Sequence, residues 1–142
     1  MSALPVSRFV RLSEQGATVL TGDFDANGRT DLALADQQNS SSPLGDLPVA
    51  LSSGNGFFTV SDLADNPQTL HTVLTLPGAR CVTGDFNGDG TTDVAITGQS
   101  SSTIPVAFSV PGSGFHVTNF PVAYFPAWAN NPAAVKLSGD FN

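Results

Sequence analysis

The sequence predicts an all-β protein with two complete four-stranded repeats plus the first strand of a third. Three observations carry that prediction. Gly22-Asp23-Phe24 recurs as Gly84-Asp85-Phe86 and again as Gly139-Asp140-Phe141. Short apolar stretches alternate with period two, as in Leu32/Leu34 and Val94/Ile96, and none sustains the 3.6-residue period of a capped helix. The 14 Gly and 10 Pro are spread along all 142 residues, so no element runs long.

The elements follow in order. Residues 17–24, 30–35, 47–52 and 58–63 read as the four strands of the first repeat, and 81–86, 92–97, 104–109 and 115–120 as those of the second. The Gly-Asp-Phe steps are 62 and 55 residues. Between Leu47-Pro48-Val49-Ala50-Leu51-Ser52 and Ile104-Pro105-Val106-Ala107-Phe108-Ser109 the offset is 57, and it holds on to Phe58/Phe115 and Val60/Val117. The first repeat therefore carries extra residues within 36–46, a Ser- and Asn-rich stretch with the composition of a surface loop. Four strands per unit at this period are the pattern of β-propeller blades. The units are residues 17–78 and 79–134, with 1–16 as a strand or connector of a preceding blade and 135–142 as the first strand of an incomplete third.

A propeller closes with about four to eight blades, and this chain carries two. Either it is a piece of a longer propeller or copies complete one another. Val135, Leu137 and Phe141 on a first strand without a second would leave apolar surface and a sheet edge open. Self-association, head to tail, into a ring or filament is the expectation.

Charge narrows the partners. Five Lys and Arg stand against 12 Asp and Glu, a net charge of −7, which argues against a nucleic-acid backbone as ligand. No apolar run reaches membrane-spanning length, and the opening Met-Ser-Ala-Leu-Pro shows no signal-peptide pattern. Cys81 is the sole cysteine, so a disulfide framework and a cysteine-rich metal site are excluded; a buried filler is the expectation for it.

The acids are concentrated. Half of them fall in residues 23–31 and 85–93, both reading D-x-[DN]-x-[DN]-G-x-x-D. Oxygen side chains at positions 1, 3 and 5 converge if the loop curls, position 7 offers a backbone carbonyl, and glycine at position 6 permits the turn. An EF-hand would close with Glu at position 12, where Leu34 and Ile96 stand, so closure falls to position 9. The ligand sets are Asp23, Asp25, Asn27, the Arg29 carbonyl and Asp31, and Asp85, Asn87, Asp89, the Thr91 carbonyl and Asp93. Hard oxygen donors without His or Cys favour Ca²⁺. A metal-free Asx/Gly turn is the competing reading, and the doubled spacing argues against it.

Gly84-Asp85-Phe86-Asn87-Gly88-Asp89-Gly90-Thr91-Thr92-Asp93-Val94-Ala95 resembles the FG-GAP/VCBS repeat, and the first window is similar, with Ala26-Asn27 where that pattern prefers Gly-Asp. The resemblance runs from about Gly16 to Asn142. It implies propeller blades, as in integrin α headpieces and propeller lectins, with calcium held in the loop between the first two strands. It does not imply one activity.

No nucleophile elbow, phosphate loop or carboxylate pair recommends an enzyme. His71 and His116 lack metal-ligand spacing. Trp128, Tyr124, Phe125 and Phe120 crowd one connector. Trp128 and Tyr124 are candidate ligand contacts, stacking on sugar faces; the alternative is that these aromatics plug the gap between blades. Asn39-Ser40-Ser41 is a glycosylation sequon of use outside the cell. The expectation is a non-enzymatic, extracellular, calcium-binding module for adhesion or recognition of a glycan or protein, with a self-assembling structural subunit as the alternative.

Overall fold

The structure, a computed structural model, describes residues 2–3, 9–11, 13, 17–35, 47–62, 72–74, 76, 78–98, 102–129, 131 and 133–141. The first sheet contains β1 (Ser2–Ala3), β2 (Thr18–Gly22), β3 (Asp31–Ala35), β4 (Pro48–Ser52) and β5 (Phe58–Asp62), in the order β1-β5-β4-β3-β2. The second contains β6 (Arg80–Gly84), β7 (Asp93–Thr97), β8 (Thr103–Val110) and β9 (Gly114–Pro121), in sequence order. Every pairing is antiparallel. Among the described residues the two sheets form no closed ring.

The prolines explain a shared irregularity. Pairing of β3 with β4 is confined to Leu32↔Ala50 and Ala33↔Val49, and that of β7 with β8 to Val94↔Ala107 and Ala95↔Val106. Pro48 and Pro105 lie just outside those ladders, where a missing N–H costs no hydrogen bond. Both hairpins joining the first two strands end in the same register, Gly22↔Asp31 and Gly84↔Asp93. That register places both acidic loops at the same end of the stacked sheets.

Period-two alternation divides the apolar residues between the faces of the first sheet. Leu20, Ala33, Ala35, Leu47 and Val49 pack against Val94, Ile96, Ala107 and Phe115 of the second sheet. Phe24 meets Phe115 edge-on, with ring centroids 5.8 Å apart. Val73 and Leu74, on a helical turn at 72–74, and Ala79 complete this core. Cys81 packs against it, and burial pushes its thiol pKa up to about 12, so it is the inert filler expected. On the opposite face of the first sheet, Leu34, Ala50 and Val60 are covered by Phe9.

Three expectations change. Ser2–Ala3 pairs with β5 and so belongs to the first sheet, not to a preceding unit; most of 4–12 lies outside the described residues, and 9–11 is helical. Residues 134–141 form no strand: among the described residues they join neither sheet's ladder. The aromatics of the last connector do not plug a gap between sheets: Trp128 is 71% and Tyr124 80% exposed, on or beside α1 (Phe125–Ala129). In the first connector that filling is done by Val73 and Leu74. The 36–46 loop, its sequon and His71 lie outside the described residues, and His116 is exposed on β9.

Candidate metal centre

Each acidic loop is wound around its first aspartate. Asp23 accepts hydrogen bonds from the N–H groups of Asn27 (3.0 Å) and Gly28 (2.8 Å). Asp85 accepts from Gly88 (2.7 Å), Asp89 (3.1 Å) and Gly90 (2.9 Å). The third and fifth positions repeat the device: Asn27 N–H donates to Asp25 and Arg29 N–H to Asn27 Oδ1, while Asp89 N–H donates to Asn87 Oδ1 and Thr91 N–H to Asp89. The curl the spacing predicts is therefore held by the loop's own amides.

Left-handed backbone is needed at the fourth and sixth positions. Gly88 and Gly90 have φ of 77° and 86°, and Gly28 has 77°, but the fourth position of the first loop is Ala26 at φ 62°. A Cβ in that region costs about 1 kcal/mol or more. Ala26→Gly is therefore expected to raise stability by about 0.5–1 kcal/mol, and Gly88→Ala to lower it by about 1–2 kcal/mol. Denaturant midpoints of the two variants check this; a fall for Ala26→Gly contradicts it.

The ninth position does more than close the loop. Asp31 is fully buried: Oδ2 accepts from Phe24 N–H (2.9 Å) and Oδ1 from Ser52 N–H (2.7 Å). Asp93 does the same with Phe86 N–H (2.9 Å) and Ser109 N–H (2.9 Å). Each carboxylate ties its loop to the end of the third strand of its sheet. Burial raises the pKa of both, with a further raise from the charges of Asp25 and Asp23 in one loop and of Asp89 and Asp85 in the other, and the two amides of each oppose it. Asp89 is exposed, and its pKa is lowered by hydrogen bonds from the Thr91 hydroxyl and amide and from Asn87.

Carboxylate oxygens of Asp23, Asp25 and Asp31 lie within 4.8 Å of one another, close enough for one cation. This donor set fits Ca²⁺: it is all oxygen, and a buried carboxylate flanked by like charges gains most from a neutralising ion. In the second loop Asp85 and Asp93 stand at the positions of Asp23 and Asp31, but Asn87 stands at that of Asp25 and Asp89 at that of Asn27; the Thr91 hydroxyl donates to Asp89.

The two loops touch. Thr92 N–H donates to the Asp23 carbonyl (2.7 Å), and Asp23 N–H donates to Thr92 Oγ1 (2.9 Å). A Cβ on Gly22 would lie 2.2 Å from Thr92 Cγ2, so glycine is required for this approach. Thr92, Ser52 and Ser109 were not among the sequence-predicted site residues. The recurring serine that ends both Pro-Val-Ala blocks was the available signal for two of them; the cross-repeat role of Thr92 had none.

The model of the FG-GAP-like repeat matches residues 23–96, which run from the first acidic loop through the second and into β7. The chain belongs to the FG-GAP-like repeat family. No curated protein and no solved structure is matched by it. In this FG-GAP-like chain, the matched stretch contains the loop, the Pro-Val-Ala strand and the return to the next loop. The family pattern therefore coincides with the sheet-to-sheet repeat rather than with one isolated turn.

Proposed function

We propose that this protein is a calcium-loaded β-propeller repeat module, non-enzymatic and extracellular, that serves recognition or adhesion toward a glycan or protein. One observation carries the reading: three carboxylates converge within 4.8 Å in a loop whose nine-residue pattern occurs twice. Calcium supplies the charge that lets these buried and crowded acids stay ionised, and so stiffens the ends from which the loops project. Stiff loops on a rigid sheet scaffold suit recognition, and the exposed aromatics Trp128 and Tyr124 offer flat apolar faces to a sugar or an apolar side chain.

The extracellular setting rests on the ligand count. Loops closed by an aspartate, without the bidentate glutamate of an EF-hand, are expected to bind with modest affinity and need abundant calcium. Calorimetric titration of chelated protein is expected to show calcium binding with dissociation constants above about 1 μM, in the range of extracellular modules. Asp85→Ala is expected to lose one binding event. Absence of calcium heat overturns the metal reading, and a constant well below micromolar removes the argument for the extracellular setting.

A further inference from the structure

We propose that the two acidic loops fill with calcium cooperatively, and that Thr92 is the residue that couples them. The inference rests on the calcium reading and adds that the two loops are not independent sites. Thr92 occupies the eighth position of the second loop, between Thr91, whose carbonyl is the expected seventh-position ligand, and Asp93 at the ninth. Its contacts, however, reach into the first loop. The Thr92 N–H donates to the Asp23 carbonyl (2.7 Å), and Thr92 Oγ1 accepts from the Asp23 N–H (2.9 Å). Both main-chain groups of the residue that supplies the first carboxylate of one loop are thus held by a residue set between two ligands of the other.

A continuous run of hydrogen bonds joins ligand to ligand. Asp93 Oδ1 accepts from the Ser109 N–H (2.9 Å), and the Ser109 hydroxyl donates to the Thr92 carbonyl. Thr92 clasps Asp23, whose carboxylate accepts the amides of Asn27 (3.0 Å) and Gly28 (2.8 Å). Asp93 and Ser109 are buried, where hydrogen bonds are strong and an unpaired group is costly. The approach leaves no slack, since a Cβ on Gly22 would lie 2.2 Å from Thr92 Cγ2. Strand β2 ends at Gly22 and β7 begins at Asp93, so the clasp joins the two strand ends from which the loops project.

With the second loop loaded, Thr91 and Asp93 are fixed, and Thr92 between them is fixed as well. Asp23 is then already held in the conformation that the first loop needs, so less of the chain remains to be ordered when that loop fills. By linkage, a loaded first loop favours the second by the same factor. Charge works in the opposite direction, because filling one loop weakens the field that draws a cation to the other. That effect acts at a distance and is screened by salt, whereas the clasp is a direct contact.

Calorimetric titration of the chelated chain at about 0.15 M salt, where exposed charges are screened beyond about 8 Å, tests the coupling. The parent is compared with two single-loop variants, Asp25→Ala and Asp89→Ala, each of which removes a ligand from one loop and leaves the buried Asp31 and Asp93 in place. The product of the parent's two association constants is expected to exceed the product of the two single-loop constants by at least about fivefold. Thr92→Val removes the acceptor oxygen and keeps the shape; it is expected to reduce that ratio at least about threefold, the worth of one hydrogen bond, while Thr92→Ser retains it. Each Thr92 variant is combined with both single-loop variants, so a direct effect on one loop cancels from the ratio. A parent ratio below about fivefold overturns the coupling. A smaller reduction in Thr92→Val, or a ratio in Thr92→Ser as low as in Thr92→Val, overturns the part given to Thr92. Should Thr92→Val lose the parent's circular-dichroism spectrum, Gly22→Ala replaces it, because its Cβ displaces Thr92 and every ligand stays in place. Two independent binding events would therefore remove the coupling alone, and absence of calcium heat would remove the calcium reading with it.

Discussion

Asp93→Ala is expected to cost about 3–5 kcal/mol of stability, a large part of what a domain of ordinary stability possesses. The side chain is fully buried, and both its oxygens accept backbone hydrogen bonds, from Phe86 and Ser109. Alanine leaves two amides without partners in the interior, each costing about 1–3 kcal/mol, and adds the cavity of the lost carboxylate. Asn at the same position keeps one acceptor oxygen, so Asp93→Asn is expected to fall between alanine and the parent. Asp31→Ala should behave like Asp93→Ala, because Phe24 and Ser52 stand where Phe86 and Ser109 stand. Urea unfolding of the three variants in chelator checks the ranking and separates the latch from any metal. Stability of Asp93→Ala within about 1 kcal/mol of the parent would contradict a latch that holds loop to sheet.

The second large effect is a reversal of pH dependence by calcium. In chelator, thermal stability contributed by Asp31 and Asp93 is expected to rise as pH falls from neutrality. Burial, then neighbouring like charges, raises both pKa values in the folded state. The folded chain therefore holds protons that the unfolded chain has released. That stabilisation is fully present below the unfolded-state value of about 3.9 and is lost as pH rises through the raised folded values. Asp89 acts in the opposite direction, with a lowered folded value, but it is exposed and screened. With calcium bound the sign inverts, since the ion needs the carboxylates ionised and acid competes with it. At neutral pH, two sites each filled at about 100 times their dissociation constant add about 5 kcal/mol, a rise in melting temperature of roughly 15 °C. Melting curves across pH with and without calcium measure both effects. Superimposed curves at pH 7 would remove the metal from the account.

Much of this architecture was legible in the sequence because it is written locally and written twice. Period-two alternation, the Gly-Asp-Phe and Pro-Val-Ala blocks and their offsets located eight strands with ends shifted by one or two residues. The nine-residue spacing located the loops, since the curl that brings Asp23, Asp25 and Asp31 together is held by amides within the same loop. Such features depend on residues a few positions apart, and a sequence displays those directly.

What only the tertiary structure decided involves contacts between repeats. Residues 135–141 match a first strand in sequence, yet strand character needs a ladder to a partner's N–H and C=O groups, and among the described residues they join neither sheet. Trp128 resembles a buried connector residue in composition, yet the helix on which it sits leaves it exposed. Thr92 carries no local signal of its link to Asp23, because 69 residues separate the two. Spacing along the chain determined the strands and the loops; the stacking of one sheet on the next determined which apolar face is closed and which remains open, because burial depends on what the rest of the fold places there.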